Sequence, residues 1–328
     1  MTRNGRKVYL LVYVDDLLIG CAFEEEIKRV YHELKNHFEV NWLGDPKYFL
    51  GLEIRRDADG VFSLGVQQYI HKLILSLGLE NAKVARTPMD TGYMKIEEKG
   101  KEFADNSKYR SIVGALMYVA TCARPDIAAS ISILGRSFEA PKESDWTAAK
   151  RVVRYLKGTA DWRLRLGGET ANNLEVFTDS DWAGDSRTRK SMTGYILFFG
   201  GGAVAWTSRR QGCVSLSSME VEYVALGEAC QEVVWTRRLL KDLGEKQTEP
   251  TLINEDNQGC LNFVQSERTN KRSKHIETKQ CFIRDLVEQG VVHLKYCPTE
   301  VMKADILTKP LDAVKHTRFA KLIGLVAD

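Results

Sequence analysis

VFTDSDWAGD, residues 176–185, is the stretch that decides the fold of this chain. It begins with apolar and aromatic residues that predict a buried strand, and Asp179 follows where that strand ends. Three later acids, Glu222, Asp256 and Asp305, also stand at the predicted ends of strands or beginnings of helices. A single α/β fold could gather all four at one edge, where their carboxylates would hold divalent metal against phosphate.

Size and composition favour an ordered intracellular protein. The chain has 328 residues, of which 44% are hydrophobic, and this is enough for a core and for one or two domains. A formal charge of +3 supports a polyanionic partner only weakly. Seven cysteines without a CxxC or Cys/His spacing predict free thiols in a reducing compartment. Asp15 and Asp16 interrupt the apolar run near the N-terminus, so we expect no membrane span.

From residue 174 onward, three adjacent predicted strands followed by helices that alternate with strands predict a mixed sheet covered by helices. The predicted strands are 174–178, 194–199, 203–207, 251–254 and 291–297, and the predicted helices are 218–243, 256–264 and 276–289, with a terminal helical piece. Upstream, we expect hairpins within 8–19 and 48–66, and helices at 24–38, 69–77, 109–123, 125–137 and 146–157. A polar connection at 87–106 and a glycine-rich linker at 158–173 separate these groups.

The four acids admit two interpretations. Converging carboxylates repel one another, so they predict either bound metal or strongly raised pKa values. Oxygen ligands without histidine or cysteine favour Mg²⁺, with Mn²⁺ as the alternative. Two such ions about 4 Å apart would activate a water and stabilise the leaving oxygen of a phosphodiester. In the opposing interpretation these acids only cap helices and turns, as Asp179 and Asp256 are placed to do.

The order of the motifs favours the first interpretation. TDSDWAGD, KSMTGY, SLSSMEVEY, EDNQGC, KRSKHIETK and ADILTK follow one another between residues 178 and 309. Together they resemble the ribonuclease H domain of Copia-type LTR retrotransposon Pol polyproteins, over roughly residues 170–312. The resemblance implies four catalytic metal ligands, namely Asp179, Glu222, Asp256 and Asp305.

Neighbouring acids compete with these four. Glu220 lies two residues before Glu222, but the family pattern of an acid, an aromatic residue and then alanine two positions on selects Glu222. Asp181 and Asp185 are expected in the turn or beside the ligands, and Glu255 is expected as a neighbour. Residues 297–303 contain no histidine, which leaves the general acid unassigned and water as the expected proton carrier.

The N-terminal third resembles the preceding part of the same polyprotein. LLVYVDDLLIG, residues 10–20, is similar to the reverse transcriptase palm hairpin, with Asp15 and Asp16 as its polymerase acids. Residues 47–54 and 63–74 resemble the primer grip and the start of the thumb. A palm needs a further aspartate upstream, so we expect no DNA synthesis from this chain. We also expect the first hundred residues to be less stable or prone to association.

These resemblances imply how the whole chain is divided into segments. We expect an α+β palm and thumb remnant at 1–106, a helical connection at 107–168, an RNase H-like α/β domain with a mixed five-stranded sheet and flanking helices at 169–312, and a tail at 313–328. The implied function is metal-dependent hydrolysis of the RNA strand of RNA/DNA hybrids. The expected partners are nucleic acid and the rest of Pol, inside a cytoplasmic virus-like particle or in the nucleus. The expected backbone-binding cations are Lys150, Arg151, Arg154 and Lys157.

Two other functions stay open from the sequence. A relic or domesticated derivative would bind nucleic acid without cleaving it. Another nuclease of the same fold, such as an integrase or resolvase, would act on double-stranded DNA. Hybrid binding without cleavage would indicate the first, and cleavage of duplex DNA alone would indicate the second.

Overall fold

The N-terminal region is a hairpin followed by a helix. The computed structural model describes residues 2–3, 5–57, 60–96, 100–168, 172–185, 188–266 and 274–327, and the side chains among these except those of 2–3 and 274–280. Strands β1 (Thr2–Arg3), β2 (Arg6–Tyr13) and β3 (Asp16–Cys21) form an antiparallel sheet, and α1 (Glu24–Lys35) follows. The predicted first hairpin is therefore confirmed.

The second sheet joins distant parts of the sequence. It consists of β4 (Tyr48–Phe49), β5 (Leu52–Arg56), β6 (Phe62–Gly65), β7 (Arg163–Leu166) and β13 (Leu325–Val326), in the order β13-β7-β6-β5-β4. All its pairs are antiparallel. Positive φ angles at Leu50 and Gly51 divide the single strand expected over 48–54 into β4 and β5.

Strand β7 corrects the prediction of a linker at 158–173. Its residues alternate between charged and apolar, which is a strand pattern, but the flanking glycines suggested a connection. Arg163 is buried, and its guanidinium donates to the Glu53 carbonyl at 3.0 Å and to the Ser63 hydroxyl at 3.2 Å. These contacts lie about a hundred residues away in sequence, so local composition could not reveal them.

Four helices that lie between β6 and β7 in sequence share a hydrophobic core. They are α2 (Gln67–Ser76), α3 (Asn106–Cys122), α4 (Ala128–Gly135) and α5 (Glu143–Lys157). The Asp105 side chain accepts from the Lys108 N–H and thereby caps α3. The helix expected over 125–137 begins instead as a 3-10 turn at Pro125–Ile127. Within the described ranges, no helix is both long enough and apolar enough to cross a membrane.

The third sheet carries the decisive stretch of sequence. Its strands are β8 (Leu174–Asp181), β9 (Met192–Phe199), β10 (Gly202–Arg210), β11 (Thr251–Glu255) and β12 (Val292–Tyr296), in the order β10-β9-β8-β11-β12. The first three are antiparallel neighbours, whereas β11 runs parallel to both β8 and β12. This arrangement confirms the predicted RNase H-like mixed sheet.

Helices cover both faces of the third sheet. On one face, Val176 and Leu197 share a core with α6 (Ser218–Asp242), α7 (Gln258–Gln265) and α8 (Lys274–Glu288). On the other, Phe177 packs with a 3-10 turn (Lys303–Leu307) and with α9 (Ala313–Leu322).

The C-terminal segment is a packed part of the fold. Phe319 of α9 and Leu325 of β13 are buried, and β13 pairs with β7. The expected terminal helical piece is thus confirmed, and this segment ends in a short strand. Its apolar residues complete the core on the Phe177 face of the third sheet.

Candidate active site

Asp179 is held at the centre of the third sheet by its neighbours on β9 and on residues 303–308, which we call the C-terminal turn. It lies opposite Gly194 and is 2% exposed. A side chain at Gly194 would place its Cβ only 2.7 Å from Thr308 Cγ2 and 2.8 Å from Leu307 Cβ. The glycine therefore allows the turn to lie against β9, and there the Thr308 hydroxyl donates a hydrogen bond to Asp179 Oδ2.

Glu222 comes from the first turns of α6. Ser217 caps this helix by accepting from the Glu220 N–H, and the Glu220 carboxylate accepts from the Leu216 N–H at 2.8 Å. Glu220 thus serves the beginning of the helix, whereas Glu222 is 7% exposed and faces the sheet acids. The structure places Glu222, the residue that the family pattern selects, close to Asp179 and Asp256.

Asp256 follows β11 directly, at the junction with α7. Its Oδ2 accepts a hydrogen bond from the Thr299 hydroxyl at 2.7 Å, and Asn257 caps α7. One carboxylate oxygen from each of Asp179, Glu222 and Asp256 lies within 4.8 Å of the other two. These three residues form what we call the acidic cluster.

Asp305 reaches Asp179 through a lysine. It lies on the 3-10 turn and is 3% exposed. The Lys309 ammonium nitrogen is 3.0 Å from Asp305 Oδ1 and 3.6 Å from Asp179 Oδ2. Lys309 ends the ADILTK motif, but it was not among the predicted site residues. The available signal was its position four residues after Asp305, the spacing of helical ion pairs.

Burial and mutual repulsion perturb the acids. Burial raises the pKa of Asp179 to about 7, where Lys309 opposes the rise and Asp305 adds to it. Burial raises the pKa of Glu222 to about 11, with further contributions from Glu255, Asp179 and Asp256. Glu255 is fully buried beside them, and burial raises its pKa well above the usual range.

The donor set fits a hard divalent cation. The Oε2 atoms of Glu222 and Glu255 are buried and have no hydrogen-bond partner within the described part of the chain. Buried carboxylate oxygens are stable as anions only when cations compensate them. Oxygen donors alone are the ligands that Mg²⁺ prefers. Asp179, Glu222 and Asp256 would hold such an ion, with Asp305 adjacent.

Two arginines neutralise the Asp185 carboxylate, which lies shortly after β8. Asp185 Oδ2 lies 3.0 Å from Arg210 Nη1 and 3.7 Å from Arg136 Nη1, and the Thr188 hydroxyl donates to the same oxygen at 2.8 Å. Although partial burial raises the pKa of Asp185, the Thr188 and Arg210 hydrogen bonds lower it to about 2. Arg136 belongs to the residues just after α4, so the helical connection contributes a charge to this edge.

The other predicted site residues lie elsewhere. Asp15 lies in the turn between β2 and β3, where Val14 has a φ of 51°, and Asp16 is the first residue of β3; both are exposed. Among the described residues, they do not belong to the group of acids close enough to share a metal ion. In the KRSKHIETK motif, residues 271–273 lie outside the described residues and the side chains of 274–279 are not described.

The predicted backbone-binding cations have internal roles on α5. Arg151 donates to the Thr87 carbonyl at 3.2 Å, Arg154 to the Lys83 carbonyl at 2.6 Å, and Lys157 to the Ala82 carbonyl at 2.8 Å. Lys150 lies 5.6 Å from the centre of the Trp146 ring. Three of the four cations thus attach α5 to residues 82–87, and contact with nucleic acid stays a prediction.

Fold and site together define an RNase H-like domain with an acidic centre, joined to a palm-type hairpin. The family described as "Reverse transcriptase (RNA-dependent DNA polymerase)" matches residues 2–91. A retrovirus-related Pol polyprotein from transposon TNT 1-94 of Nicotiana tabacum is 34% identical over 328 aligned residues, covering 97% of this chain and 24% of that protein. A putative transposon Ty5-1 protein of Saccharomyces cerevisiae is 31% identical, covering 69% of this chain and 74% of that protein.

The chain belongs to the Copia-type retrotransposon Pol family. It spans about a quarter of the length of the tobacco polyprotein. Among solved structures, the foamy viral protease-reverse transcriptase dRH in complex with double-stranded DNA matches 88% of this chain and 46% of its own length, with a TM-score of 0.52 at 12% identity. That likeness concerns the fold alone.

Proposed function

We propose that this chain cleaves the RNA strand of RNA/DNA hybrids with the help of divalent metal, as the ribonuclease H part of a retrotransposon Pol protein. One observation carries the proposal. Acids from β8, α6 and the end of β11 meet within 4.8 Å, on a sheet with the RNase H-like order of strands. Buried acids that serve only as caps would not converge in this way, because convergence raises their electrostatic cost.

The residues of the chain supply position and charge. Bound Mg²⁺ would activate a water and stabilise the leaving oxygen of the phosphodiester. Asp179 belongs to a central strand, so its carboxylate is fixed by the sheet, and the Thr308 and Thr299 hydroxyls orient Asp179 and Asp256. His293 on β12 is exposed, and we assign it no role. Proton transfer to the leaving oxygen is left to water.

A paired cleavage assay tests the proposal. The purified chain is incubated with a hybrid whose RNA strand is end-labelled, with Mg²⁺ or with EDTA. We expect metal-dependent shortening of the RNA in the wild type and at least a hundredfold slower cleavage in Asp179→Asn and Asp256→Asn. The Glu220→Gln variant is the matched control and should cleave normally. Unchanged cleavage by both aspartate variants would reject the assignment.

The proposal does not include DNA synthesis. Asp15 and Asp16 are exposed and are not part of the acidic cluster. The same preparations, given a primed RNA template and nucleotides, should leave the primer unextended. Extension that disappears in Asp15→Asn would show that this expectation is wrong.

A further inference from the structure

The three other acids lie on two sides of Asp179, and these sides differ in charge. On one side, Glu222 and Asp256 face it with carboxylate oxygens and no cation within salt-bridge distance among the described residues. On the other side, the Lys309 ammonium lies within 4.0 Å of both Asp179 and Asp305. The two halves of the centre therefore differ in charge before any metal or substrate binds.

The position of Lys309 is built into the backbone. The Thr308 N–H donates to the Asp305 carbonyl at 3.3 Å, and the Thr308 hydroxyl donates to Asp179 Oδ2 and lies 3.2 Å from the same carbonyl oxygen. Gly194 provides the space for this turn against β9. Lys309 follows directly and is held next to the acids, while its side chain keeps about a third of its surface exposed.

We propose that Lys309 is the resident cation of the Asp305 side, so that the substrate-free protein binds one divalent ion rather than two. This inference rests on the proposed function and refines its metal requirement. A metal ion bound to Asp305 would have to lie about 2 Å from a carboxylate oxygen. The Lys309 ammonium already lies next to that space. The two cations would also repel each other strongly at such a separation.

Lys309 is also placed to exchange partners. A lysine ammonium is a mobile point charge that pairs readily with phosphate. When a substrate phosphate reaches the centre, the ammonium would transfer to it and leave Asp179 and Asp305 free for a second ion. Lys309 is thus a positioning residue that couples binding of the second ion to binding of nucleic acid.

Counting bound Mn²⁺ tests the inference without an activity assay. Equilibrium dialysis, with free Mn²⁺ measured by electron paramagnetic resonance, gives the number of ions per chain in the absence of nucleic acid. We expect one ion for the wild type and two for Lys309→Met and Lys309→Gln. The exposed Lys315→Met on α9 is the control and should bind one ion. Circular dichroism confirms that each variant is folded.

The outcomes separate the two proposals. Two ions on the wild type, or one ion on both folded Lys309 variants, would overturn the role of Lys309 and leave the nuclease assignment intact. No bound ion on the wild type would overturn the nuclease assignment as well. One ion on the wild type that Glu222→Gln removes, together with two ions on a Lys309 variant, would support both.

Discussion

The burial of Glu222 lowers the stability of the metal-free fold at neutral and alkaline pH. Glu222 is buried, one of its oxygens has no hydrogen-bond partner among the residues that the structure describes, and three other acids lie near it. Because burial raises its pKa, the folded state favours the protonated carboxyl. This contribution to stability is complete below the unfolded pKa of about 4.3 and is lost as the pH rises toward about 11.

We therefore expect Glu222→Gln to stabilise the metal-free protein at alkaline pH. In EDTA at pH 8, the free energy of unfolding should exceed that of the wild type by about 2 kcal/mol, and at pH 4 the difference should vanish. Urea denaturation at the two pH values measures both quantities. A Glu222→Gln variant that is less stable than the wild type at pH 8 would contradict this account.

At the scale of elements, the close approach of β9 and the C-terminal turn builds the site. Gly194 gives the turn its space, and the turn brings Asp305, Thr308 and Lys309 to Asp179. The contact joins residues that are more than a hundred positions apart in sequence. The order of the motifs indicated that the acids meet, but only the packed structure shows that a glycine permits it.

Gly194→Ala tests this packing. The added methyl group would overlap the Thr308 and Leu307 side chains, so the turn has to shift by several tenths of an ångström. We expect a loss of about 1 to 3 kcal/mol of stability and at least a tenfold slower cleavage of the hybrid. Gly212→Ala is the control, since its added carbon would meet no atom of the described residues within 4 Å. Normal cleavage by Gly194→Ala would show that the approach is not needed.

Local patterns predicted most elements of the third sheet and the acids on it. Apolar and aromatic runs predicted β8, β9 and β11, and the family pattern of an acid, an aromatic residue and an alanine selected Glu222 over Glu220. What the sequence did not reveal depends on distant partners. The pairing of β7 with β6 and the contact of Lys309 with Asp179 both require the folded chain. The contacts between the α5 cations and backbone carbonyls also depend on residues that are distant in sequence.

At the scale of the whole molecule, a buried polar network ties the C-terminal helix to the helical connection. The Arg124 guanidinium pairs with Asp126 at 2.7 Å, both side chains are fully buried, and the Tyr155 hydroxyl donates to Asp126 at 2.6 Å. His316 of α9 lies 3.0 Å from the Asp126 carbonyl oxygen. The second sheet also crosses the boundaries predicted at 106 and 312, and the division into domains stays a prediction.

Asp126→Asn should weaken this network strongly. It leaves the buried Arg124 charge uncompensated, so we expect a loss of about 3 to 5 kcal/mol in the free energy of unfolding. Glu102→Gln, which removes the exposed ion pair with Lys142, should cost less than about 1 kcal/mol. Chemical denaturation of both variants provides the comparison. Equal losses would mean that the buried pair has no special role.

The N-terminal region is less protected than the helical core. Val12, Val14 and Leu43 are 58%, 83% and 90% exposed, although large apolar residues favour burial. Lys7 attaches β2 to the end of α6 through Glu245 at 2.6 Å. We expect limited proteolysis to cut within the first 45 residues before α3–α5, and equal resistance of both regions would contradict the expectation.

The most direct test of the acidic centre is the rate at which the RNA strand of a hybrid is cut by the wild type, Glu222→Gln and Glu220→Gln. With Mg²⁺ present, we predict that the wild type and Glu220→Gln shorten the RNA, leave the DNA strand intact and do not cut duplex DNA. Glu222→Gln should be at least a hundredfold slower. Equal rates for the two glutamate variants, or no cleavage by any of the three proteins, would contradict the assignment of this site as a nuclease.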